Sequence, residues 1–199
     1  MKIALHDGIW SLEELTISVL SIDCKDVFQM KTNRSLGEML EKREYKALTF
    51  ELHEMDDQLS RPIGTVLSDL KKQKNNVYKM FLNKYGDSSF CSYKATSHHW
   101  DKGLYFYIVE NKPVYVGRCA NTKFGPRIND YGKITAANVY KTGQSTNCRI
   151  NSKINTILRE EGEFKIGLYI MNHSTVEEIS QKEKEVLSNN FFPWNVQKR

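Results

Sequence analysis

Gly103-Leu104-Tyr105-Phe106-Tyr107-Ile108-Val109, Glu110-Asn111-Lys112-Pro113 and Val114-Tyr115-Val116-Gly117 read as strand, turn and strand. The two runs are β-branched and aromatic, and the segment between them carries turn residues. If Leu104, Phe106 and Ile108 share the core face with Val114 and Val116, paired positions must sum to an even number. That register demands an odd loop in place of a two-residue turn. It also puts Tyr105 and Tyr115 together on the opposite face.

Downstream, Arg127 and Tyr131 lie four residues apart on an expected short helix, hence on one face. A helix of about 149–161 ends at Gly162, a third strand covers Phe164 to Met171, and a last helix runs from Ser174-Thr175 to about Asn190. Upstream, Gly86 to Asp101 reads as a linker, with His98-His99 in a turn or DNA-contacting element. Ser11-Leu12-Glu13-Glu14 and Ser35-Leu36-Gly37-Glu38 have capping-box spacing. Pro62 suits the first turn of a helix striped by Ile63, Val66, Leu67 and Leu70, and a fourth helix is expected from Asn76 to Tyr85. Residues 53–68 have the pattern of a helix-turn-helix, with 61–73 as its recognition helix, although the turn lacks its usual glycine. The expected class is α+β: a mainly helical region over 1–100 as a candidate DNA-recognition module, and over 101–199 an antiparallel sheet of about three strands flanked by helices.

The last helix carries a chemical signal. Val176, Ile179, Val186, Leu187 and Asn190 share one helical face, and the position between them that should be apolar is Glu183. A carboxylate in an apolar stripe needs a cation, either arginine or a metal, because burying it alone costs several kcal/mol on the usual estimates. Glu185 projects to the opposite side.

The 199 residues carry a formal net charge of +5, and 40% are hydrophobic, which fits a globular chain and excludes wholesale disorder. Residues 1–100 hold 14 Lys/Arg and 14 Asp/Glu, so the excess lies in the second half. Arg118, Lys123, Arg127, Lys133, Lys141, Arg149 and Lys153 face only one acid in their stretch, Asp130, a bias that suits a polyanion. A second basic stretch begins at Arg61. No apolar run suits a membrane span or an export signal, so the expected compartment is the cytosol. Cys24, Cys91, Cys119 and Cys148 form no C-x-x-C pair and read as reduced thiols, neither a zinc site nor a disulfide framework.

Gly103-Leu104-Tyr105, Tyr115-Val116-Gly117 twelve residues on, Arg127 with Tyr131, and Glu183 followed by Asn195 resemble the GIY-YIG nuclease family over about residues 103–195. Each short motif is weak alone, and their order and spacing make the set specific. The resemblance implies a metal-dependent endonuclease acting on double-stranded DNA. Arg127 would stabilise the pentavalent transition state, a role for which the permanently charged guanidinium is suited. It lies ten residues beyond Gly117, somewhat farther than the family pattern, which leaves Arg118 as the alternative. Tyr105 would be the general base, Tyr115 would position water or phosphate, Tyr131 would assist with the attacking water, and Asn195 would fix the site by hydrogen bonds. Glu183 would hold a single Mg²⁺ or Mn²⁺, with no organic cofactor. A phenol of ordinary pKa about 10 needs adjacent positive charge to ionise near neutrality, to which Lys123 could contribute.

Short chains with an added helical region resemble the type II restriction enzymes of that family, and a double cut would imply a homodimer on DNA. The expected DNA contacts are Arg61, Arg118, Lys123, Lys133, Lys141, Arg149 and Lys153, with the helical half and the 133–147 loop as sequence readers. The alternatives are a structure-specific or mobile-element nuclease, and a non-catalytic DNA-binding protein on the same fold.

Overall fold

The computed structural model describes residues 1–30 and 34–196. In chain order the strands and α-helices are β1 (Lys2–Leu5), β2 (Gly8–Ser11), β3 (Glu13–Leu15), β4 (Ile17–Cys24), α1 (Leu36–Leu40), α2 (Leu48–Glu51), α3 (Ile63–Lys72), β5 (Phe90–Ala95), β6 (Gly103–Val109), β7 (Lys112–Cys119), α4 (Phe124–Gly132), α5 (Ala136–Val139), α6 (Ser145–Arg159), β8 (Phe164–Ile170) and α7 (Val176–Asn189). The class is α+β with antiparallel sheets. Among the described residues no helix is long and apolar enough to cross a membrane.

The chain forms two compact units. One comprises Met1–Ile22, Ser92–Lys133 and Lys153–Arg199, and the other Asp23–Cys91 and Ile134–Ser152. The boundary expected near residue 100 falls inside the segment Ser92–Lys133 of the first unit.

The first unit holds a four-stranded antiparallel sheet in the order β3-β8-β6-β7. Its β6–β7 hairpin keeps the even-sum register from Gly103↔Cys119 to Tyr107↔Tyr115. The turn nevertheless has only two residues, Glu110 and Asn111, both with left-handed φ (48° and 62°). A shift of pairing to Ile108↔Pro113 leaves Val114 as an extra residue, so a bulge supplies the parity that an odd loop was expected to supply. At the other end, Gly103 has φ 141°, and a Cβ there would lie 2.1 Å from the Tyr169 carbonyl oxygen. Only glycine permits that approach of β6 to β8.

The sheet separates two layers. Leu104, Phe106 and Val116 pack with Ile179 and Val186 of α7 and with Phe192. Tyr105, Tyr107 and Tyr115 face the other way, where their rings meet Tyr131 of α4, and Tyr105 also meets Phe124.

The expected helical N-terminus is overturned, because residues 2–24 are strands. Ser11 ends β2 and does not cap a helix. The competing signal was the two-residue turn His6-Asp7 followed by Gly8 with φ 130°, which closes the β1–β2 hairpin through Leu5↔Gly8. Beyond it, Glu13, Glu14 and Leu15 pair with Leu168, Gly167 and Ile166, giving the sheet a fourth strand where three were expected. Tertiary pairing thus satisfied the amides that the capping pattern offered to a helix. The expected linker is likewise overturned over Phe90–Ala95, which is the largely buried strand β5.

The second unit keeps the other expectations in part. Ser35 and Glu38 form the capping box of α1, whose ends exchange bonds at 2.7 and 3.2 Å. α3 begins after Pro62 and buries Ile63, Val66, Leu67 and Leu70, as its stripe requires. The fourth helix is a 3₁₀ turn over Asn76–Phe81. The core gathers Phe28, Leu36, Tyr45, Leu67, Phe81 and Val139. The helix-turn-helix is not formed as two α-helices: His53–Gln58 is 3₁₀, interrupted at Met55 (φ −110°, ψ 24°). The side chains of His53, Glu54 and Asp56 lie outside the described residues.

Candidate active site

Two strands and two helices of the first unit deliver side chains to one open cleft of about 410 Å³. It is lined by Tyr105, Tyr115, Gly117, Arg118, Thr122, Arg127 and Glu183. Tyr105 comes from β6, Tyr115 and Arg118 from β7, Arg127 from α4 and Glu183 from α7. The acid of the last helix and the hairpin tyrosines therefore line one cleft, although they belong to opposite layers of the sheet. Gly117 makes the junction. A Cβ there would sit 2.3 Å from Tyr105 Oη and 2.4 Å from Cζ, so the Tyr105 ring occupies the space a side chain would need.

Tyr131 is the hub of the tyrosine side. Arg127 Nη2 donates to its Oη at 2.7 Å, Tyr105 Oη donates to it at 3.2 Å, and the Tyr115 hydroxyl lies 3.1 Å away. The Arg127 guanidinium also stands 4.5 Å from the Tyr131 ring centroid, in cation–π geometry. Tyr131 is wholly buried and Arg127 only partly, so Tyr131 holds the guanidinium at the cleft wall. A second layer, unmarked by the motif, stiffens the first: Tyr107 stacks on Tyr115 with centroids 5.4 Å apart and sits 5.7 Å from Tyr105. The two-residue alternation of β6 places Tyr107 on this face, so the signal was present in the sequence.

Burial pushes the Tyr105 phenol well above its ordinary value, reinforced by Tyr115 and Tyr131 and opposed by the Arg127 charge. The Tyr115 phenol is likewise raised, first by burial. In this state both are hydrogen-bonding phenols. The Arg127 guanidinium stays charged, because the tyrosine oxygens outweigh its own desolvation.

Glu183 has the cation that its place in an apolar stripe demands: Arg118 Nη1 donates to its carboxylate. The Glu183 side chain is only 15% exposed against 43% for Arg118, so the carboxylate is fixed and the guanidinium is the movable partner. Glu185 projects outward and meets Lys182 at 3.5 Å. Glu183 is the one carboxylate in the cleft lining, and no cluster of three or more His, Cys, Asp or Glu exists among the described residues. This donor set fits a single hard cation that keeps most of its water and takes oxygens from a phosphate, not a cation caged by protein.

Asn195 lies outside the cleft lining and braces it. Its Oδ1 accepts from Val116 N at 2.9 Å and its Nδ2 donates to Val116 O at 2.8 Å, while Trp194 N donates to Val114 O. The amide thus imitates a neighbouring strand along the outer edge of β7. Thr122, also in the lining, carried no sequence signal.

The expected DNA contacts divide. Lys123, Lys133 and Lys141 are exposed. Lys153 lies over the Trp194 ring at 5.4 Å. Arg149 is 9% exposed in the second unit, which withdraws it from the surface set. Arg61 is held by Asp69 at 2.6 Å and by Gln58. The 133–147 segment is no open loop, since α5 occupies it and Ile134, Ala136, Val139 and Tyr140 are buried. All four cysteines are free thiols, Cys24 half-buried and the others buried.

Comparison with known protein families, curated proteins and solved structures returns no match for this chain.

Proposed function

We propose that this chain is a metal-dependent endonuclease of the GIY-YIG kind, cutting phosphodiester bonds in double-stranded DNA. The observation that carries the reading is the single cleft shared by Tyr105, Tyr115, Arg127 and Glu183, groups up to 78 positions apart in sequence. A buried tyrosine cluster alone would be packing, and a Glu–Arg pair alone would be an ordinary ion pair. Opening together onto one polar cleft, they offer a fixed guanidinium, two phenols and a carboxylate around a space suited to a phosphate.

In this reading Arg127 binds a non-bridging oxygen and stabilises the charge that grows there in the transition state. Tyr131 orients Arg127 and links it to both phenols. Tyr105 orients the attacking water through its hydroxyl and, once ionised, accepts the proton. The water oxygen bonds to phosphorus as the opposite P–O bond breaks. Because burial raises the phenol, ionisation needs positive charge beside it, which Arg127 supplies in part. Glu183 would hold the divalent ion, whose charge would offset that of the phosphate and the leaving oxygen. Asn195 keeps β7 in register beneath Tyr115 and Gly117.

The narrower reading is a type II restriction enzyme, acting in the cytosol as a homodimer on DNA. Purified protein incubated with Mg²⁺ and plasmid tests it. Discrete fragments support restriction, and nicks confined to branched DNA support a structure-specific nuclease. DNA binding without cleavage supports the non-catalytic alternative. Glu183→Gln and Arg127→Ala should each abolish cleavage while leaving DNA binding measurable, and wild-type turnover in either would remove the assigned role.

A further inference from the structure

Trp100 is 81% exposed, one of the two most solvent-open large hydrophobic side chains of the first unit. Exposed aromatics are usually found on slack loops, but this one sits on a tethered segment. His98 Nδ1 lies 2.9 Å from Asp101 Oδ2, and Asn172 Nδ2 donates to Asp101 Oδ1 at 2.7 Å. Lys102 N donates in turn to Asn172 Oδ1 at 2.9 Å. The residues on either side of Trp100 grip the start of α4: Gly125 N donates to His99 O at 3.3 Å and Phe124 N to Asp101 O at 2.9 Å. The His99 ring fills the space above Gly125, where a Cβ would lie 2.4 Å from Nδ1. The two gripped residues, 124 and 125, lie between the cleft-lining Thr122 and Arg127. The loop therefore ties an exposed indole to the start of the helix that carries Arg127.

We propose that Trp100 is a DNA contact, its indole packed against deoxyribose of the duplex that Arg127 and its helix engage. The inference rests on the nuclease reading and adds a residue that engages the duplex. Two observations favour nucleic acid over a protein surface. The chain neighbours of Trp100, namely Ser97, His98, His99, Asp101 and Lys102, are all polar, unlike the apolar run of a protein-binding loop. Lys123 is exposed, lies close enough to act on the charge of Asp101 and suits a phosphate, while both oxygens of Asp101 are already engaged by His98 and Asn172. An indole face packs on deoxyribose whatever the base sequence, and a tethered loop loses little freedom when it binds.

The test is the affinity of the full chain for a fluorescein-labelled 25-base-pair duplex of mixed sequence, with Ca²⁺ in place of Mg²⁺. Trp100→Ala should weaken binding about five- to tenfold, the effect of returning roughly 50 Å² of apolar surface to water, with Trp100→Phe close to wild type and thermal stability unchanged. The slope of log Kd against log salt should stay the same in Trp100→Ala and fall by about one in Lys123→Ala. Wild-type affinity in Trp100→Ala overturns the inference and leaves the nuclease reading standing. A change of molecular mass in light scattering would overturn it in favour of a protein interface. Failure of the wild type to bind any duplex would remove the nuclease reading, and the inference with it.

Discussion

Gly117→Ala isolates the geometric requirement of the cleft. The backbone at Gly117 is not in the left-handed region, so alanine is tolerated conformationally and space alone is at issue. The new methyl would start 2.3 Å from Tyr105 Oη, 2.4 Å from Cζ and 2.9 Å from Cε1. A flexible side chain would swing aside, but Tyr105 is 1% exposed and wedged among Tyr107, Tyr115, Phe124 and Tyr131. Overpacking of this kind costs about 1–3 kcal/mol, and breaking the Tyr105–Tyr131 bond about 1 kcal/mol more. Alanine in a strand returns about 0.5–1 kcal/mol relative to glycine, leaving a net loss of about 1–3 kcal/mol. Chemical denaturation should read that loss, and a shift of the reacting groups by about 1 Å should lower cleavage about a hundredfold. Tyr105→Leu/Gly117→Ala should be more stable than the sum of its single variants, because the smaller side chain makes room, while Tyr105→Phe/Gly117→Ala should show no such recovery. Gly117→Ala with stability within about 0.5 kcal/mol of wild type and full activity would refute the packing argument.

A divalent ion at Glu183 would compete with the Arg118 guanidinium, the 43% exposed partner of the pair, whose solvated charge makes the competition worth about 0.2–1 kcal/mol. Arg118→Ala should therefore bind Mn²⁺ about two- to fivefold tighter by calorimetry, with Glu183→Gln as the blank, and equal affinities would show that the pair does not guard the carboxylate. Tyr105 and Tyr115 are raised above the unfolded value of about 10, so their contribution is full below that pH and is lost as pH climbs from there through the folded values. Tyr105→Phe/Tyr115→Phe should accordingly flatten the fall in stability between pH 9 and 11.5, and an unchanged slope would contradict the burial argument. Burial pushes the thiols of Cys91 and Cys119 up to about 12 and that of Cys148 up to about 11. A thiol reagent at pH 8 should meet one fast-reacting group, Cys24, in the native protein and four in denaturant, whereas two or more fast thiols would mean that the buried set is open.

The β6–β7 hairpin, the α7 stripe and the pairing of Arg127 with Tyr131 were legible because each is a short-range pattern: alternation of two, recurrence near 3.6, and a spacing of four. Periodicity decides a side chain's face wherever one face is buried, which is why the sequence alone puts Tyr105 and Tyr115 on one face. The strand-rich N-terminus was not legible, since Ser11 and Glu14 make as good a capping box as Ser35 and Glu38. Only the open edge of β8, about 150 residues away, gave Glu13–Leu15 a partner that outweighed a local helix. The identity of the cation beside Glu183 was hidden for the same reason. Sequence demanded a counter-charge in the stripe, but whether Arg118 or Arg127 met it depended on which face of β7 lay under α7. Local physics thus wrote the chemical groups into the chain, and contacts between distant segments decided which of them meet.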